Sequence, residues 1–375
     1  MTTDHVFIFL EIFNSEGGIQ SYVKDVLQAY QSVTCRTDYQ ASSEIFLLRD
    51  APNYNNPLDV EPLKFHYLKT QHPLLGRLRL ITGLLNCLWQ RRPKHVFCGH
   101  IKLAPLTQLL CQRWGVPYTV LTYGKEVWYR LPDRERQALA AAAGIWTISR
   151  YSRDCLCAAN DINPEKVQIV PCVVDGNIFT PGSKSPELST RYGLTDAKVL
   201  MTVARLWPTD VYKGVDVTIR ALPAIAKVFP DVKYLVIGRG DDQPRLAQLA
   251  RELGVSDRVV FAGFVPTPEL PEYYRLADAY IMPSQEGFGI VYLEAMACGK
   301  PVLSGDADGS ADPLQDGRLG WRVPHRNPEA VAAACIEILK GDDQRCNGQW
   351  LRQECLAQFS KDTLTQQLKQ LISDR

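Results

Sequence analysis

The chain has 375 residues, a length that exceeds one hydrophobic core and suits two domains of ordinary size. Hydrophobic residues make up 46% and charged residues 22%, as in soluble globular proteins. The formal net charge of +1 offers no general argument for binding nucleic acid. The sequence shows neither a signal peptide nor the ~18 uninterrupted apolar residues that span a bilayer. We therefore expect a cytoplasmic protein.

The eleven cysteines are scattered, and only Cys155 and Cys157 lie close together in sequence. Their C-x-C spacing is that of neither a zinc ribbon nor a redox C-x-x-C, so we expect reduced, mostly buried thiols. Asp306 and Asp308 spell a D-x-D, but their glycine-rich surroundings favour a plain loop over a metal site. We predict no bound metal.

The first half of the chain begins with a buried strand and a glycine loop. Residues 6–10 form a continuous apolar run, as in a parallel strand covered on both faces. Gly17 and Gly18 follow, and a helical pattern covers residues 20–30. The dinucleotide fingerprint G-x-G-x-x-G is absent from this loop. Paired glycines would let a substrate approach the backbone, although a turn that simply needs glycine is an equal alternative.

Further strands are predicted at residues 43–48 and 63–68, before a helix at 73–89. Basic residues surround this helix: Arg77, Arg79, Arg91, Arg92 and Lys94. They would suit an anionic membrane surface. We favour the alternative in which the helix buries its apolar side on a sheet and solvates its charges.

Polar residues follow the next two predicted strands. The strand at 95–100 ends in His100, and the strand at 117–123 ends in Tyr123, with Glu126 close behind. In open α/β sheets the carboxyl ends of strands line the binding crevice, so these side chains are candidates for it. For His100, a buried histidine satisfied by the backbone is the alternative that we favour. After another strand at 144–149, the Pro-, Gly- and Ser-rich residues 180–198 are predicted to form a linker.

The second half opens with the segment 199–206, in which Arg205 ends a predicted strand, and Lys213 precedes the next helix. A pyrophosphate needs cationic donors, and arginine offers a planar two-pronged contact where lysine offers a point charge. The strand at 232–238 leads to Gly238 in a G-x-G that lacks its third glycine, so NAD binding has little support.

A strand, a Gly-x-Gly turn and a helix at residues 279–297 form the most informative segment. Gly287 and Gly289 allow a sharp turn and the close approach of a ligand. The N–H groups near Phe288 and Ile290, at the start of the helix, form an anion site. Glu286 precedes the turn. Glu294 lies about one helical turn in, and its side chain leans back toward the same ligand.

Two glutamates separated by seven residues around Gly-Phe-Gly resemble the signature of retaining nucleotide-sugar glycosyltransferases of family 4. The resemblance implies an α/β fold of the GT-B type, with two doubly wound Rossmann-like domains facing across a cleft and a C-terminal helix that crosses back to the first domain. On this basis we expect an acceptor-binding domain at 1–180, a nucleotide-sugar-binding domain at 181–358 and the returning helix at 359–375.

The same resemblance implies roles for the candidate residues. Glu286, Arg205 and Lys213 would be catalytic, and the donor would contact Glu294, Gly287, Phe288, Gly289, Ile290 and Gly238. The sugar or acceptor would meet Gly17, Gly18, His100, Tyr123 and Glu126. Many relatives carry a histidine where this chain has Tyr123, so no histidine role is transferred there.

The expected activity is therefore that of a retaining hexosyltransferase without cofactor or obligatory metal. The donor would be a UDP-, GDP- or ADP-sugar, and the acceptor a glycan or lipid-linked hydroxyl in cell-surface polysaccharide or glycolipid synthesis. The enzyme would be cytoplasmic, with contact to the inner face of the membrane, and would bind no nucleic acid. The alternative is a non-catalytic nucleotide-sugar binder or assembly subunit with the same fold. A nicotinamide dehydrogenase lacks its fingerprint here.

Overall fold

The computed structural model of the protein describes residues 3–15, 17–35, 42–52 and 56–373. The strands are β1 Thr3–Phe9, β2 Ser42–Leu47, β3 Leu63–Tyr67, β4 His95–Cys98, β5 Tyr118–Leu121, β6 Gly144–Thr147, β7 Val167–Ile169, β8 Lys198–Val203, β9 Val232–Ile237, β10 Val259–Gly263, β11 Ala279–Met282, β12 Val302–Gly305 and β13 Trp321–Val323. The helices are α1 Gly18–Cys35, α2 Pro73–Gln90, α3 Ala104–Trp114, α4 Asp133–Ala141, α5 Arg150–Asn160, α6 Pro186–Arg191, α7 Val215–Val228, α8 Gln243–Glu252, α9 Leu270–Leu276, α10 Ile290–Ala297, α11 Pro328–Lys340, α12 Gly348–Phe359 and α13 Lys361–Ser373.

The chain divides into two compact units. The first comprises Met1–Val173 together with Lys361–Arg375, and the second comprises Val174–Ser360. The first unit therefore contains two separate stretches of the chain, because its last helix follows the whole of the second unit. Each unit is built on its own sheet.

The sheet of the first unit has seven strands in the order β3-β2-β1-β4-β5-β6-β7, and every recorded pairing in it is parallel. The apolar run in β1 is buried on both faces, as expected for a central parallel strand. Helix α13 packs against α1. Lys361 at its start lies 3.7 Å from the Asp25 carboxylate of α1, and Gln367 donates to the Ile169 carbonyl at 2.7 Å. The return of the last helix to the first unit, expected from the sequence, is confirmed.

The sheet of the second unit has six strands in the order β10-β9-β8-β11-β12-β13, again with parallel pairing. Chain order reverses between β8 and β11, where doubly wound folds place their ligands at the carboxyl ends of the strands. Both Arg205 and the loop before α10 follow these two strands. Two parallel doubly wound sheets confirm the fold class that we expected.

The segment 180–198, which we predicted to be a linker, contains α6 and belongs to the second unit. Ser185 caps this helix by accepting from the Leu188 N–H at 3.3 Å. Lys184 pairs with Asp278 at 2.9 Å, and Asp278 also accepts from the Val199 N–H. Polar contacts therefore hold this segment against the rest of the second unit, and the composition of the segment does not predict them.

Helix α2 buries one apolar face and exposes another. Leu80, Leu84 and Leu88 are buried, as the preferred alternative predicted. A second row remains outside, with Leu74 68%, Leu75 49%, Leu78 56% and Trp89 69% exposed. Among the described residues, no helix combines the length and hydropathy that crossing a bilayer requires.

Candidate active site

The β11–α10 loop is shaped by its glycines and by the core beneath it. Gly289 has a φ of +92°, and a Cβ placed there would lie 2.4 Å from the Tyr292 ring. The Phe288 side chain is 1% exposed and packs edge-on against Phe359. Phe288 is thus an anchor for the loop, and only its backbone can serve a ligand. The N–H groups of Ile290 and its neighbours stand at the tip of α10, where the helix dipole favours anions.

Lys213 and Glu286 meet in a largely buried ion pair. Their side chains are 17% and 14% exposed, and Lys213 Nζ lies 2.6 Å from Glu286 Oε1. Burial alone would lower the pKa of Lys213, but the Glu286 carboxylate and Tyr212 outweigh it, so the pKa of this lysine lies above its usual value. Lys213 is therefore a permanent cation near neutral pH.

The loops that carry this pair are locked together by backbone contacts. The Gln285 N–H donates to the Tyr212 carbonyl at 3.2 Å. Gly214 has a φ of +76°, and a Cβ at this position would lie 2.5 Å from the Pro283 carbonyl oxygen. Only glycine permits that approach. The sequence thus brings the β8–α7 connection and the motif loop into register, and Lys213 next to Glu286.

Arg205 lies near this pair and is more exposed than either of its members. Its guanidinium is 3.1 Å from the Asp210 carboxylate, with the Arg205 side chain 66% exposed. It is close enough to disfavour the charged form of Lys213 electrostatically. Two cations are therefore held next to each other, an arrangement that an anionic ligand would relieve.

Glu294 lies deeper than Glu286. Its side chain accepts a hydrogen bond from the Tyr274 hydroxyl at 2.7 Å, and the residue is 8% exposed. Burial, followed by the charge of Glu294, raises the pKa of Tyr274 well above its usual value, so the phenol keeps its proton. Gly238 packs tightly, since a Cβ there would lie 1.8 Å from the Ala204 carbonyl oxygen. That close approach alone explains the glycine.

In the first unit, the glycine loop is held by a buried acid that the sequence reasoning missed. The Asp50 carboxylate accepts from the N–H groups of Ile12 at 2.6 Å, Phe13 at 3.1 Å and Asn14 at 2.6 Å. Gly17 and Gly18 are exposed just beyond this anchored stretch. Asp50 follows β2, so the rule about strand carboxyl ends could have singled it out.

His100, Tyr123 and Glu126 are all engaged with the backbone. His100 accepts from the Lys102 N–H at 3.0 Å, and burial, then Lys102 and Arg49, lowers its pKa to about 4. His100 is therefore neutral at physiological pH. One ring nitrogen is satisfied by the backbone, as we expected, but the residue is only partly buried. The Tyr123 hydroxyl donates to the Gly99 carbonyl at 2.7 Å.

Glu126 closes the turn after Tyr123. Its carboxylate accepts from the Tyr123 N–H at 2.5 Å and from the Gly124 N–H at 3.2 Å. Burial raises its pKa in spite of these hydrogen bonds. These contacts orient the turn that follows β5, and the Tyr123 hydroxyl links this turn to the end of β4 at Gly99.

The thiols and carboxylates carry no metal-binding cluster in the described part of the chain: no group of three or more His, Cys, Asp or Glu side chains there could hold an ion. The ten cysteines whose side chains the structure describes are free, and most are buried. Asp308, the second acid of the D-x-D, is turned toward backbone N–H groups.

Comparison with known proteins decides the family. The family described as "Glycosyl transferases group 1" matches residues 197–341, the stretch that contains Arg205, Lys213, Glu286 and Glu294. A GDP-mannose-dependent alpha-(1-6)-phosphatidylinositol monomannoside mannosyltransferase of Mycolicibacterium smegmatis is 31% identical over 343 residues, covering 86% of this chain and 86% of the relative. The chain belongs to the group 1 glycosyltransferases.

One more relative and one solved structure extend the comparison of this glycosyltransferase. A D-inositol 3-phosphate glycosyltransferase of Thermobispora bispora is 32% identical over 364 residues, covering 88% of this chain and 83% of the relative. The crystal structure of Anabaena HepE in complex with UDP matches all of both chains with a TM-score of 0.80 at 19% identity. The latter likeness supports the GT-B fold.

Proposed function

We propose that this glycosyltransferase moves a hexosyl group from a nucleoside-diphosphate sugar to an acceptor hydroxyl with retention of anomeric configuration. The observation that carries the proposal is the buried Lys213–Glu286 pair beside Arg205 and the tip of α10. This arrangement sets two cations and a helix dipole next to a carboxylate. Retention comes from the resemblance of the motif to family 4.

The chemistry follows from where charge develops. As the glycosidic bond of the donor breaks, negative charge grows on the departing diphosphate. Lys213, Arg205 and the first N–H groups of α10 would stabilise that charge. Lys213 would exchange its contact with Glu286 for the diphosphate when the donor binds. Glu286 would then be released to orient hydroxyls of the sugar, and Glu294 would hold the ribose.

We propose that these protein cations suffice and that no metal is obligatory. Treatment with EDTA, followed by desalting, should leave donor turnover within about twofold of the untreated enzyme. The control is the same assay with Mg²⁺ added back to the desalted protein. Loss of turnover on chelation and its return with Mg²⁺ would contradict the proposal.

The relatives suggest which substrates to test first. The 31%-identical relative is named as a GDP-mannose-dependent phosphatidylinositol monomannoside mannosyltransferase. UDP is bound in the structurally similar HepE. We therefore propose GDP- and UDP-sugars as donors and a glycolipid as acceptor, in the synthesis of a cell-surface glycan.

We further propose that the exposed side of α2 contacts an anionic membrane at its cytoplasmic face. Leu74, Leu75 and Leu78 are all exposed on its first turns, and exposed Arg77 and Arg79 stand among them. Apolar side chains would enter the interface while the guanidiniums meet lipid phosphates. A glycolipid acceptor would then be reached without leaving the bilayer.

Replacing Leu74, Leu75 and Leu78 with serine should abolish cosedimentation with vesicles that contain anionic lipid. Turnover on a water-soluble acceptor should be unchanged, because these side chains are outside the core. The matched control is Leu109→Ser on α3, which is 68% exposed and lies in a different helix of the same unit. Equal sedimentation of the triple variant and the wild type would refute membrane contact through α2.

A non-catalytic subunit that binds nucleotide sugars is the second candidate, because every group named above would also bind a donor without turning it over. The test is release of nucleoside diphosphate from a panel of nucleotide sugars with acceptor extracts. Turnover by the wild type, absent in Glu286→Ala, supports the transferase. Donor binding without turnover across the panel supports the binder.

A further inference from the structure

Glu286 is held in place by a second buried acid, Asp308. The Glu286 N–H donates to Asp308 Oδ2 at 2.5 Å, and the Gly309 N–H donates to the Glu286 carbonyl at 2.9 Å. The peptide groups on both sides of Glu286 are thus fixed by the stretch after β12. Among the hydrogen bonds of the described residues, these two are the ones that hold the backbone N–H and the backbone carbonyl of Glu286.

The second carboxylate oxygen of Asp308, Oδ1, also accepts hydrogen bonds from the protein. Oδ1 accepts from the Ser310 N–H at 2.9 Å and from the Ser310 hydroxyl. The residue is 2% exposed, so it is shielded from water. Both oxygens accept hydrogen bonds from protein donors, and these contacts favour the ionised form of Asp308.

The sheet supports this contact from below. A Cβ at Gly305, the last residue of β12, would lie 2.2 Å from the Ser284 carbonyl oxygen. The carboxyl ends of β11 and β12 therefore pack backbone to backbone, and the two loops that follow these strands are brought side by side. The hydrogen bond between Asp308 and the Glu286 N–H joins the two loops just beyond this close backbone contact.

We infer that Asp308 is a positioning residue for Glu286 and that its ionisation makes the geometry of the site sensitive to pH. The inference rests on the proposed function only for the role of Glu286 in handling the donor sugar. Asp308 touches neither donor nor acceptor in this account. It acts by keeping the Glu286 backbone, and hence the side chain opposite Lys213, in one arrangement.

The electrostatic surroundings of Asp308 make the transition accessible near neutrality. Burial, reinforced by the charge of Glu286, raises its pKa to about 6, although hydrogen bonds from Ser310 and the Glu286 N–H oppose this rise. Tyr292 on α10 also faces it, and burial and the charge of Asp308 raise the pKa of that phenol, so it stays neutral. His325 lies against Gly305 at the end of β12. Lys213, paired with Glu286, is the nearby cation.

The direction of the effect follows from that pKa. Above about pH 6 Asp308 is ionised and accepts all three donors, whereas below it the acid gains a proton and the contact to the Glu286 N–H or to Ser310 is weakened. Because the folded pKa is raised, ionising Asp308 costs stability as the pH rises. At neutral pH the ionised Asp308 therefore holds the Glu286 backbone in place, and its ionisation lowers the free energy of unfolding.

Hydrogen–deuterium exchange of the peptide that contains Glu286 tests the inference without any ligand. In the wild type, protection of the Glu286 amide, corrected for the intrinsic pH dependence of exchange, should fall as the pH is lowered from 8 to 5. At pH 7.5, Asp308→Asn should exchange this amide about ten- to a hundredfold faster, the range expected for a lost hydrogen bond to a charged group. Its protection should no longer change with pH.

Two more variants complete the test. Ser310→Ala removes a hydrogen bond that favours the ionised acid, so the midpoint of the wild-type transition should move to higher pH. Asp242→Asn is the control, because this buried acid of the same unit pairs with Arg245 and has no recorded contact with Glu286. It should leave exchange at Glu286 unchanged.

Equal protection of Glu286 in the wild type at pH 5 and pH 8 would overturn the inference, even if Asp308→Asn failed to fold. The same conclusion follows if a folded Asp308→Asn exchanges like the wild type. Turnover of nucleotide sugars is measured in a separate assay, because it tests the proposed function and not the positioning role of Asp308. Altered exchange in a protein that never turns over a nucleotide sugar would keep the positioning role and reject the transferase.

Discussion

Replacing Lys213 with alanine should lower kcat/KM for donor turnover by about 10²–10³-fold, the loss typical of removing one preorganised group that stabilises developing negative charge. Lys213 is paired and largely buried, so it is already placed before the donor arrives. The assay is release of nucleoside diphosphate from the donor. Lys227→Ala is the matched control, because Lys227 is exposed at the far end of α7, and it should retain full activity.

The same substitution should also destabilise the protein, since it leaves the Glu286 carboxylate without its partner in a poorly hydrated place. Removing both partners in Lys213→Ala/Glu286→Ala should restore part of the lost melting temperature, because no unpaired charge remains, but should not restore activity. Recovery of turnover in the double variant would show that Lys213 merely neutralises Glu286.

Changing Glu286 to glutamine should lower kcat by about 10²-fold or more while leaving the affinity for free nucleoside diphosphate nearly unchanged. Glutamine preserves the shape of the side chain but removes the charge, which in this account acts on the sugar. Steady-state kinetics and calorimetry on the same preparation separate the two effects. Unchanged kcat with weakened diphosphate binding would instead place Glu286 in the phosphate site.

This variant also carries a pH signature. The Glu286 carboxylate raises the pKa of Lys213 against the opposing effect of burial. Without that charge, the pKa of Lys213 should fall, and its ammonium should lose its proton at lower pH than in the wild type. The alkaline limit of diphosphate binding in Glu286→Gln should therefore move toward neutral pH.

Local signals in the sequence predicted the secondary structure around the candidate site. The helix expected at 290–297 is α10, because Gly289 and Gly299 delimit it with positive φ values of +92° and +74°. The expectation that strand ends gather at one edge explains why Lys213 and Glu286, 73 residues apart, are in contact. Both predictions needed only propensity and topology.

Other features depended on contacts that are distant in sequence. Asp50 and Asp308 look like ordinary loop acids, and only the fold supplies the backbone N–H groups that they accept from. The hydroxyl of Tyr123 is likewise directed to a carbonyl that the sequence does not indicate. Helix α6 arose in a segment whose proline and serine suggested a linker, although here they form the start and cap of a helix.

The most direct test of the account is a comparison of nucleoside diphosphate with nucleoside monophosphate binding. GDP and UDP, with GMP and UMP, would be titrated by calorimetry into the wild type, Lys213→Ala and Arg205→Ala. The account predicts that the wild type prefers the diphosphate and that each substitution weakens diphosphate binding by about tenfold or more, with little change for the monophosphate. Equal diphosphate affinity in all three proteins would contradict it.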